Sequence, residues 1–255
     1  MTRKMTLPAG IEPPQHVAII PDGNRRWAKA KRLPTFIGHK RGFDAAMKLV
    51  RAGREMGIHT MTLWAFSTEN WSRTKKEVNY LMKLYMDMID KNLEEAHEFE
   101  SKIVHLGRKD RIQKKLLDKI TNAEEETKKY KKYILNVALD YGGQDELLRA
   151  FEKFVAEIRN PKSEIRNLFK EVGKYHNKYP IFKFSEYLDT GGQPYPYPDL
   201  VIRTSGEQRT SGLLVWQAAY SEFYFEKKSF PDFTPERFRK AIVEYSGRSR
   251  RFGGN

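Results

Sequence analysis

The sequence contains no cysteine among its 255 residues. Structural disulfides, thiolate-bound zinc, iron–sulfur clusters and a cysteine nucleophile are thereby excluded, and such a chain suits a reducing cytoplasm. It also lacks a long apolar run. No segment approaches the roughly 18–20 uninterrupted apolar residues of a spanning helix, and residues 1–15, MTRKMTLPAGIEPPQ, have no apolar centre of the secretory type. The expectation is a soluble or peripheral protein. Acidic residues are in deficit, 33 against 47 lysines and arginines, for a formal net charge of +14. That excess suits a phosphorylated or polyanionic partner, without choosing between nucleic acid, an anionic membrane surface and a small substrate. With 39% hydrophobic residues, a chain of this length can bury a full core.

What is present is an alternation. Short β-rich apolar runs, VAII (17–20), TMTLWAF (60–66), KIVHL (102–106), YILNVAL (133–139), DLVIR (199–203) and EFYF (222–225), alternate with longer helical patterns. This predicts an α/β fold with a central, mainly parallel six-stranded sheet flanked by helices, in which ligands bind beyond the carboxyl ends of the strands. Thr74 and Glu77 form a capping-box signal for a long helix through about Glu100, and Thr234–Pro235 starts another. On the first, Leu81, Leu84, Tyr85, Met88 and Ile89 repeat at helical spacing and read as a core-facing stripe rather than a lipid lining. Residues 107–132, rich in lysine, read as a solvated helix face. The stretch 155–198, interrupted by Pro161, Gly173, Pro180, GGQ and PYPYP, reads as one or two helices plus a mobile, Pro-rich connection. No internal repeat is evident.

The segment HVAIIPDGNRRWAK (16–29) sets one carboxylate among cations at the end of an apolar strand. A Pro-Asp-Gly-Asn junction running into a helix presents backbone N–H groups and the guanidinium groups of Arg25 and Arg26 to one space, which suits a phosphate or diphosphate. Gly23 lets the backbone approach closely. Asp22 would repel a bare diphosphate and fits through a bridging Mg²⁺. An ordinary strand-to-helix turn uses the same residue types, so the weight comes from the clusters that follow. Gly38 and His39 lie one helix on, and LWAFSTENWSR supplies Ser67, Glu69, Asn70, Trp71 and Arg73. RTSGEQRTSG supplies Arg203, Ser205, Arg209 and Ser211, suited to a second phosphate-bearing ligand, and Glu222 follows. The tail SRRFGGN is either a frayed end or an arm that closes on an anion. Two anion sites, a Mg²⁺ ligand and apolar helices nearby point to phosphorylated, partly greasy substrates. The all-helical trans-type prenyl synthases use adjacent aspartates, and this sequence has none.

HVAIIPDGNRRWAK, IGHKRG, LWAFSTENWSR, LNVALDYGG, PDLVIRTSGEQRTSGLLVWQAAYSEFYF, FPDF and SRRFGG, in this order from His16 onward, resemble the cis-prenyltransferase family, the undecaprenyl and dehydrodolichyl diphosphate synthases. So many ordered blocks are far more specific than one short motif, and the IIPDGNRRWA form is closer to archaeal members. The resemblance implies a homodimer with an apolar substrate tunnel between sheet and helices. It divides the chain into an N-terminal tail (1–15) and a single catalytic domain (16–255) with a C-terminal arm (246–255). It implies Mg²⁺-dependent sequential condensation of isopentenyl diphosphate with an allylic diphosphate, farnesyl or geranylgeranyl diphosphate. The product is a poly-cis polyprenyl diphosphate, precursor of a lipid glycosyl carrier, made in the cytoplasm with membrane contact through the product and no role for nucleic acid.

Carried over by position, Asp22 and Asn70 are the catalytic residues, and Asp22 and Glu222 the metal ligands. Gly23, Asn24, Arg25, Arg26, Trp27, His39, Ser67 and Arg73 match the allylic diphosphate site. Arg203, Arg209, Ser211, Arg251 and Gly253 match the isopentenyl diphosphate site. Thr35 departs from the pattern, standing where many relatives place an arginine that contacts the allylic diphosphate, with Lys31 or Arg32 as candidate substitutes. Gly212 stands where asparagine is common, and the connection from Phe154 to Tyr197 is longer than in bacterial relatives. Two alternatives remain open: head-to-middle or short-chain condensation of allylic diphosphates on the same fold, and a non-catalytic partner subunit of a heteromeric prenyltransferase. The presence of Asp22 and the arginines weighs against the second.

Overall fold

The structure, a computed structural model, describes residues 4–160 and 184–248. Strands β1 (His16–Ile20), β2 (Thr60–Ser67), β3 (Ser101–Leu106), β4 (Tyr133–Tyr141), β5 (Leu200–Arg203) and β6 (Glu222–Phe225) form one sheet in the order β3-β4-β2-β1-β5-β6. Every neighbouring pair is parallel. The helices are α1 (Asn24–Ala30), α2 (Thr35–Glu55), α3 (Lys75–Phe99), α4 (Lys114–Thr127), α5 (Gly143–Arg159) and α6 (Pro235–Ser246), with short 3₁₀ turns between. All six expected strands are present, with ends shifted by no more than two residues. Among the described residues no helix is long and apolar enough to cross a membrane.

β1 is buried along its whole length, as a central parallel strand covered on both sides must be. Its side chains alternate between faces. Val17 and Ile19 pack with Leu49 and Val50 of α2 and Phe238 and Ile242 of α6, whereas Ala18 and Ile20 pack with Leu213, Leu214 and Ala218. A further cluster joins Leu81, Leu84, Tyr85 and Met88 of α3 to Leu116 and Ile120 of α4. The lysine-rich stretch thus forms a helix whose narrow buried stripe docks on α3 and whose remaining surface is solvated. The N-terminal tail is not free, since Met5 and Leu7 pack against the first cluster.

Two local departures from regular pairing shape the upper edge of the sheet. Between β2 and β4 the register runs Trp64 to Ala138, Phe66 to Leu139 and Ser67 to Tyr141, so Ala65 and Asp140 are each left out of the ladder as bulges. The Ala65 carbonyl is thereby turned to accept the Tyr85 hydroxyl. Asp140 takes a left-handed φ of 53°, a conformation that aspartate tolerates better than most residues. Thr74 Oγ1 caps α3 by accepting the Glu77 N–H at 3.3 Å, but the reciprocal half of the expected capping box is not made. α6 starts as expected, with Thr234 Oγ1 accepting the Arg237 N–H and proline at the first turn. In the segment 155–198, α5 runs to Arg159 and a 3₁₀ turn spans Ser185–Tyr187. Residues 161–183, and 249–255 of the C-terminal arm, lie outside the described residues.

Candidate active site

From β1 the chain steps first to β2 on one side, and later to β5 on the other. The crevice beyond the carboxyl ends of these three strands is therefore the place where such sheets bind ligands. A cavity of about 910 Å³ opens there, near the top of the range for small-molecule sites, about 300–1,000 Å³. One end is polar and exposed, formed by the turns after β1, β2 and β5. The other is apolar and lies between β2 and helices α2 and α3, with Leu63, Ala65, Phe43, Leu84, Tyr85 and Met88 on its wall.

Asp22 stands at the polar end, fixed from both sides. Its N–H donates to Thr204 Oγ1 at 2.9 Å and its carbonyl accepts from the same hydroxyl at 2.8 Å. Its carboxylate accepts from Arg26 Nη2 at 3.0 Å and from Arg203 Nη2 at 2.9 Å. Burial acts to raise the Asp22 pKa, but Arg203 and Arg26 outweigh it and hold the carboxyl below its ordinary range, so it is ionised at neutral pH. Arg203, the buried last residue of β5, also donates to Ser211 Oγ at 2.7 Å and to the Arg209 carbonyl at 2.6 Å. Gly23 has φ +97°, and a Cβ there would lie 2.5 Å from Ser205 Oγ and 2.8 Å from Ser229 Oγ. Only glycine fits that turn. Gly38 and Gly42 serve a different purpose: a Cβ at either would collide with Asn24, so their absence of side chain lets α2 cross close to α1.

The second wall of the polar end is the turn after β2. Ser67 and Asn70 form a reciprocal box, the Ser67 N–H donating to Asn70 Oδ1 at 3.2 Å and the Ser67 side chain accepting the Asn70 N–H. With Oδ1 engaged, the amide NH₂ of Asn70 is its group available to a ligand. His39 Nε2 meets Glu77 Oε1 at 3.1 Å, and Arg73 donates to the same oxygen at 3.2 Å. Burial lowers the His39 pKa more than Glu77 raises it, which leaves the imidazole neutral at neutral pH. Behind this turn, the Trp71 indole N–H donates to Asp140 at 2.8 Å, and Arg111 Nε donates to the same carboxylate at 2.9 Å.

Among the described residues no group of three or more metal-ligating side chains is assembled. What the cavity offers a cation is the ionised Asp22, whereas Asn24 Oδ1, though without a protein partner, is sealed against Gly42 where α2 crosses α1. The Asp22 carboxylate suits Mg²⁺, a hard ion that takes oxygen ligands and completes its shell with substrate phosphates and water.

Comparison with known proteins identifies the lineage. The prenyltransferase family model, for undecaprenyl diphosphate synthase, matches residues 20–253. The chain belongs to the cis-prenyltransferase family. It is 44% identical to an isoprenyl transferase of Thermotoga maritima, over 94% of this chain and 97% of that protein. An isoprenyl transferase of Clostridium tetani is 40% identical, over 94% and 89%. Among solved structures, lavandulyl diphosphate synthase from Lavandula x intermedia, in complex with dimethylallyl diphosphate, superposes with TM-score 0.84 at 32% identity, covering 94% of this chain and 98% of that one. A probable undecaprenyl diphosphate synthase from Campylobacter jejuni gives TM-score 0.72 at 28% identity, covering 95% and 100%. The α/β fold with a parallel six-stranded sheet and the transfer of prenyl groups thus hold for this chain. These relatives are bacterial and plant.

In this cis-prenyltransferase the cavity gathers Asp22, Gly23, Asn24, Arg25 and Arg26 from the first motif, with His39 from α2. Ser67, Asn70 and Arg73 join them from the second motif, and Arg203 and Ser211 from the third. Three named residues are not brought to its wall. The Trp27 indole N–H is bonded to Asp232 at 2.9 Å, and Lys31 Nζ sits 5.1 Å from its ring centroid. Arg209 pairs with Glu207 through an exposed side chain, and contributes its carbonyl to Arg203. Glu222 opens β6, three residues before the level of Arg203, and pairs with Arg248 at 2.9 Å. Within one chain Glu222 and Asp22 therefore face opposite ends of the sheet. Arg251 and Gly253 lie outside the described residues.

The α3 stripe has both natures that the pattern allowed. Leu81, Leu84, Tyr85 and Met88 are buried in a core cluster and also line the cavity, while Ile89 only packs at the cluster's margin. Four residues that organise the site lie within or beside the quoted segments but were given no site role there: Thr204, Glu77, Asp140 and Glu207, which accepts from Arg26 at 2.6 Å. Asp140 had a usable signal, being a charged residue at the carboxyl end of a buried strand.

Proposed function

We propose that this cis-prenyltransferase catalyses Mg²⁺-dependent, sequential condensation of isopentenyl diphosphate with an allylic diphosphate, farnesyl or geranylgeranyl diphosphate. The product is a poly-cis polyprenyl diphosphate, precursor of a lipid glycosyl carrier. The observation that carries this reading is one cavity in which two cationic clusters, Gly23–Arg26 beside Asp22 and Arg203 with Ser211, share the polar end of an apolar chamber. Two diphosphate heads side by side, with one tail in the chamber, gain the proximity that makes coupling of two substrates fast.

The allylic diphosphate lies against Gly23 and Asn24 with Arg25 and Arg26, and the isopentenyl diphosphate against Arg203 and Ser211. Asp22 would hold Mg²⁺ together with substrate phosphate oxygens, and the ion when bound would neutralise the charge that grows on the departing diphosphate. Arg26, already oriented by the Asp22 carboxylate, presents fixed positive charge to the same group at no reorganisation cost, as Arg203 does to the isopentenyl diphosphate. Asn70, held by Ser67, offers its NH₂ to a diphosphate oxygen and so orients the group that receives the proton lost as the new double bond forms. Neutral His39 adds no charge beside the apolar chamber, whose walls keep water from the electron-deficient carbon. Exposed Leu148 and Phe151, one turn apart on α5, together with exposed Val215 against the start of that helix, support a homodimer that buries this face. A cytoplasmic site of synthesis, with membrane contact through the product, suits a basic protein that meets anionic headgroups.

The test is incubation with labelled isopentenyl diphosphate, Mg²⁺ and geranyl, farnesyl or geranylgeranyl diphosphate, with products resolved by chromatography. Label in long-chain products is expected with at least one primer, and none with any primer overturns the reading. The structural likeness to a plant synthase holding dimethylallyl diphosphate, itself an allylic diphosphate, favours coupling of two allylic diphosphates as the second reading. Product from dimethylallyl diphosphate alone would establish it. A non-catalytic subunit would not need the Asp22, Arg26 and Arg203 cluster assembled here.

A further inference from the structure

The turn that closes α1 holds an arginine where the backbone favours glycine. The Leu33 N–H donates to the Ala28 carbonyl at 2.8 Å and the Arg32 N–H to the Lys29 carbonyl at 3.0 Å. This is the two-bond Schellman ending, in which the residue after the cap turns left-handed and is usually glycine. Here it is Arg32, with φ 55°, and its Cβ destabilises the turn relative to glycine.

The same residue is exposed, lines the polar end of the cavity, and makes no side-chain hydrogen bond or ion pair among the described residues. Other cations nearby are committed. Arg26 is bonded to Asp22 and Glu207, Arg203 to Asp22, and Arg73 to Glu77. Arg25, Lys29 and Arg32 are the cavity-lining cations without a carboxylate partner among the described residues, and Thr35 adds no charge. A strained backbone carrying an uncommitted charge into a cavity points to function rather than packing.

We propose that Arg32 binds the diphosphate of the allylic substrate, sharing it with Arg25 and Lys29 on the α1 side of the cavity. The isopentenyl diphosphate, across the cavity at Arg203 and Ser211, does not meet it. This inference rests on the two-diphosphate reading above. Because Arg32 holds the head group from an exposed turn, it acts on affinity more than on turnover.

The test compares Arg32→Gly, Arg32→Gln and Arg32→Lys with the unaltered enzyme, by steady-state kinetics and thermal unfolding. For Arg32→Gly, KM for the allylic diphosphate is expected to rise about tenfold, as for loss of one charge-assisted hydrogen bond. KM for isopentenyl diphosphate stays within twofold and kcat within threefold. Tm rises by about 2–4 °C, because the left-handed turn is relieved. Arg32→Gln shares the KM rise without the gain in Tm, and Arg32→Lys falls between. A structural role would move Tm and KM in the same adverse direction. An unchanged allylic KM in Arg32→Gly, or a fall in its Tm, overturns the inference while the parent reading stands. An unaltered enzyme that incorporates no label with any primer overturns the parent reading instead.

Discussion

Replacing Asp140 by alanine should loosen the turn that carries Asn70, through contacts that never touch substrate. The carboxylate is fully buried in the β4 bulge, where it accepts from Trp71 Nε1 at 2.8 Å and from Arg111 at 2.9 Å. The Arg111 guanidinium lies 5.9 Å from the Trp71 ring centroid, and Phe66 meets that ring edge-on at 5.2 Å. Loss of the indole bond to a carboxylate removes about 1.5 kcal/mol. The Arg111 pair adds at most about 1 kcal/mol, because that side chain is 41% exposed and regains water. Alanine tolerates a left-handed φ no better than aspartate, so no relief of strain offsets these losses. The expected total is about 2–3 kcal/mol, or a fall in Tm of about 5–10 °C for a chain of this size. Trp71 then shifts with Ser67, Asn70 and Arg73, and kcat falls about 10- to 100-fold as the reacting groups lose alignment. Asp140→Asn, which keeps an acceptor for the indole and tolerates the bulge, loses only about 1 kcal/mol. Thermal unfolding by circular dichroism and initial rates with saturating substrates measure both effects. An Asp140→Ala protein with Tm within 1 °C or so and kcat within about twofold of the unaltered enzyme would show that the clamp positions nothing.

Other outcomes follow from the same geometry. Asp22→Ala should lower turnover by about 10³-fold or more, equivalent to about 4 kcal/mol of transition-state stabilisation. It should nevertheless stay folded, since Arg203 keeps Ser211 and the Arg209 carbonyl as acceptors; near-normal polymerisation of labelled isopentenyl diphosphate would refute the role. Gly23→Ala forces a Cβ onto Ser205 and Ser229 at a left-handed φ, and a drop of about 2 kcal/mol or more in denaturant stability is expected together with loss of activity. Burial lowers His16 and His105 to about 4, so the unfolded chain takes up protons first as pH falls below about 6.5. Their contribution, up to about 3 kcal/mol each, is complete above that pH and is lost between about pH 6.5 and 4. Denaturant midpoints measured across this window should fall, with a shallower slope in His105→Gln, and parallel profiles for the two proteins would falsify the assignment.

The strands and the three motif clusters were legible because each is encoded locally. An apolar run of fitting length can only be buried in a sheet, and cations set around a Gly-containing turn announce an anion. The partners of those clusters were not legible. Glu77 matches the capping-box signal at Thr74, yet its carboxylate is drawn to His39 and Arg73, two cationic or donor groups brought near by folding. The reciprocal box forms instead at Ser67 and Asn70, where asparagine replaces the glutamate or glutamine of the usual signal. Glu222 shows the converse, a sequence neighbour that folding sets apart within the chain. It lies close in sequence to the Arg203 cluster, but β6 runs parallel to β5, and this places it at the far end of the strand. Proximity along the chain says nothing of strand register when a crossover intervenes.

Backbone conformation was the least legible property, and it marks the site most directly. Of the six non-glycine residues with left-handed φ among the described residues, Arg32 and Ser211 line the cavity, Asp140 holds Trp71, and Ser205 stands against Gly23. Leu214 belongs to the same loop as Ser211, and Glu100 alone closes a helix away from the cavity. Each costs about 1–2 kcal/mol relative to glycine, so random placement would have been removed as readily at one position as at another. The clustering means that the strain is tolerated where charge or register must be held against a ligand. Glycine at Glu100 should accordingly raise Tm with no kinetic effect, whereas glycine at Ser211, which takes away a hydroxyl bonded to Arg203, should raise KM for isopentenyl diphosphate about tenfold or more. Equal kinetic effects at the two positions, measured on the same substrates, would separate backbone strain from function in this fold and refute the link between them.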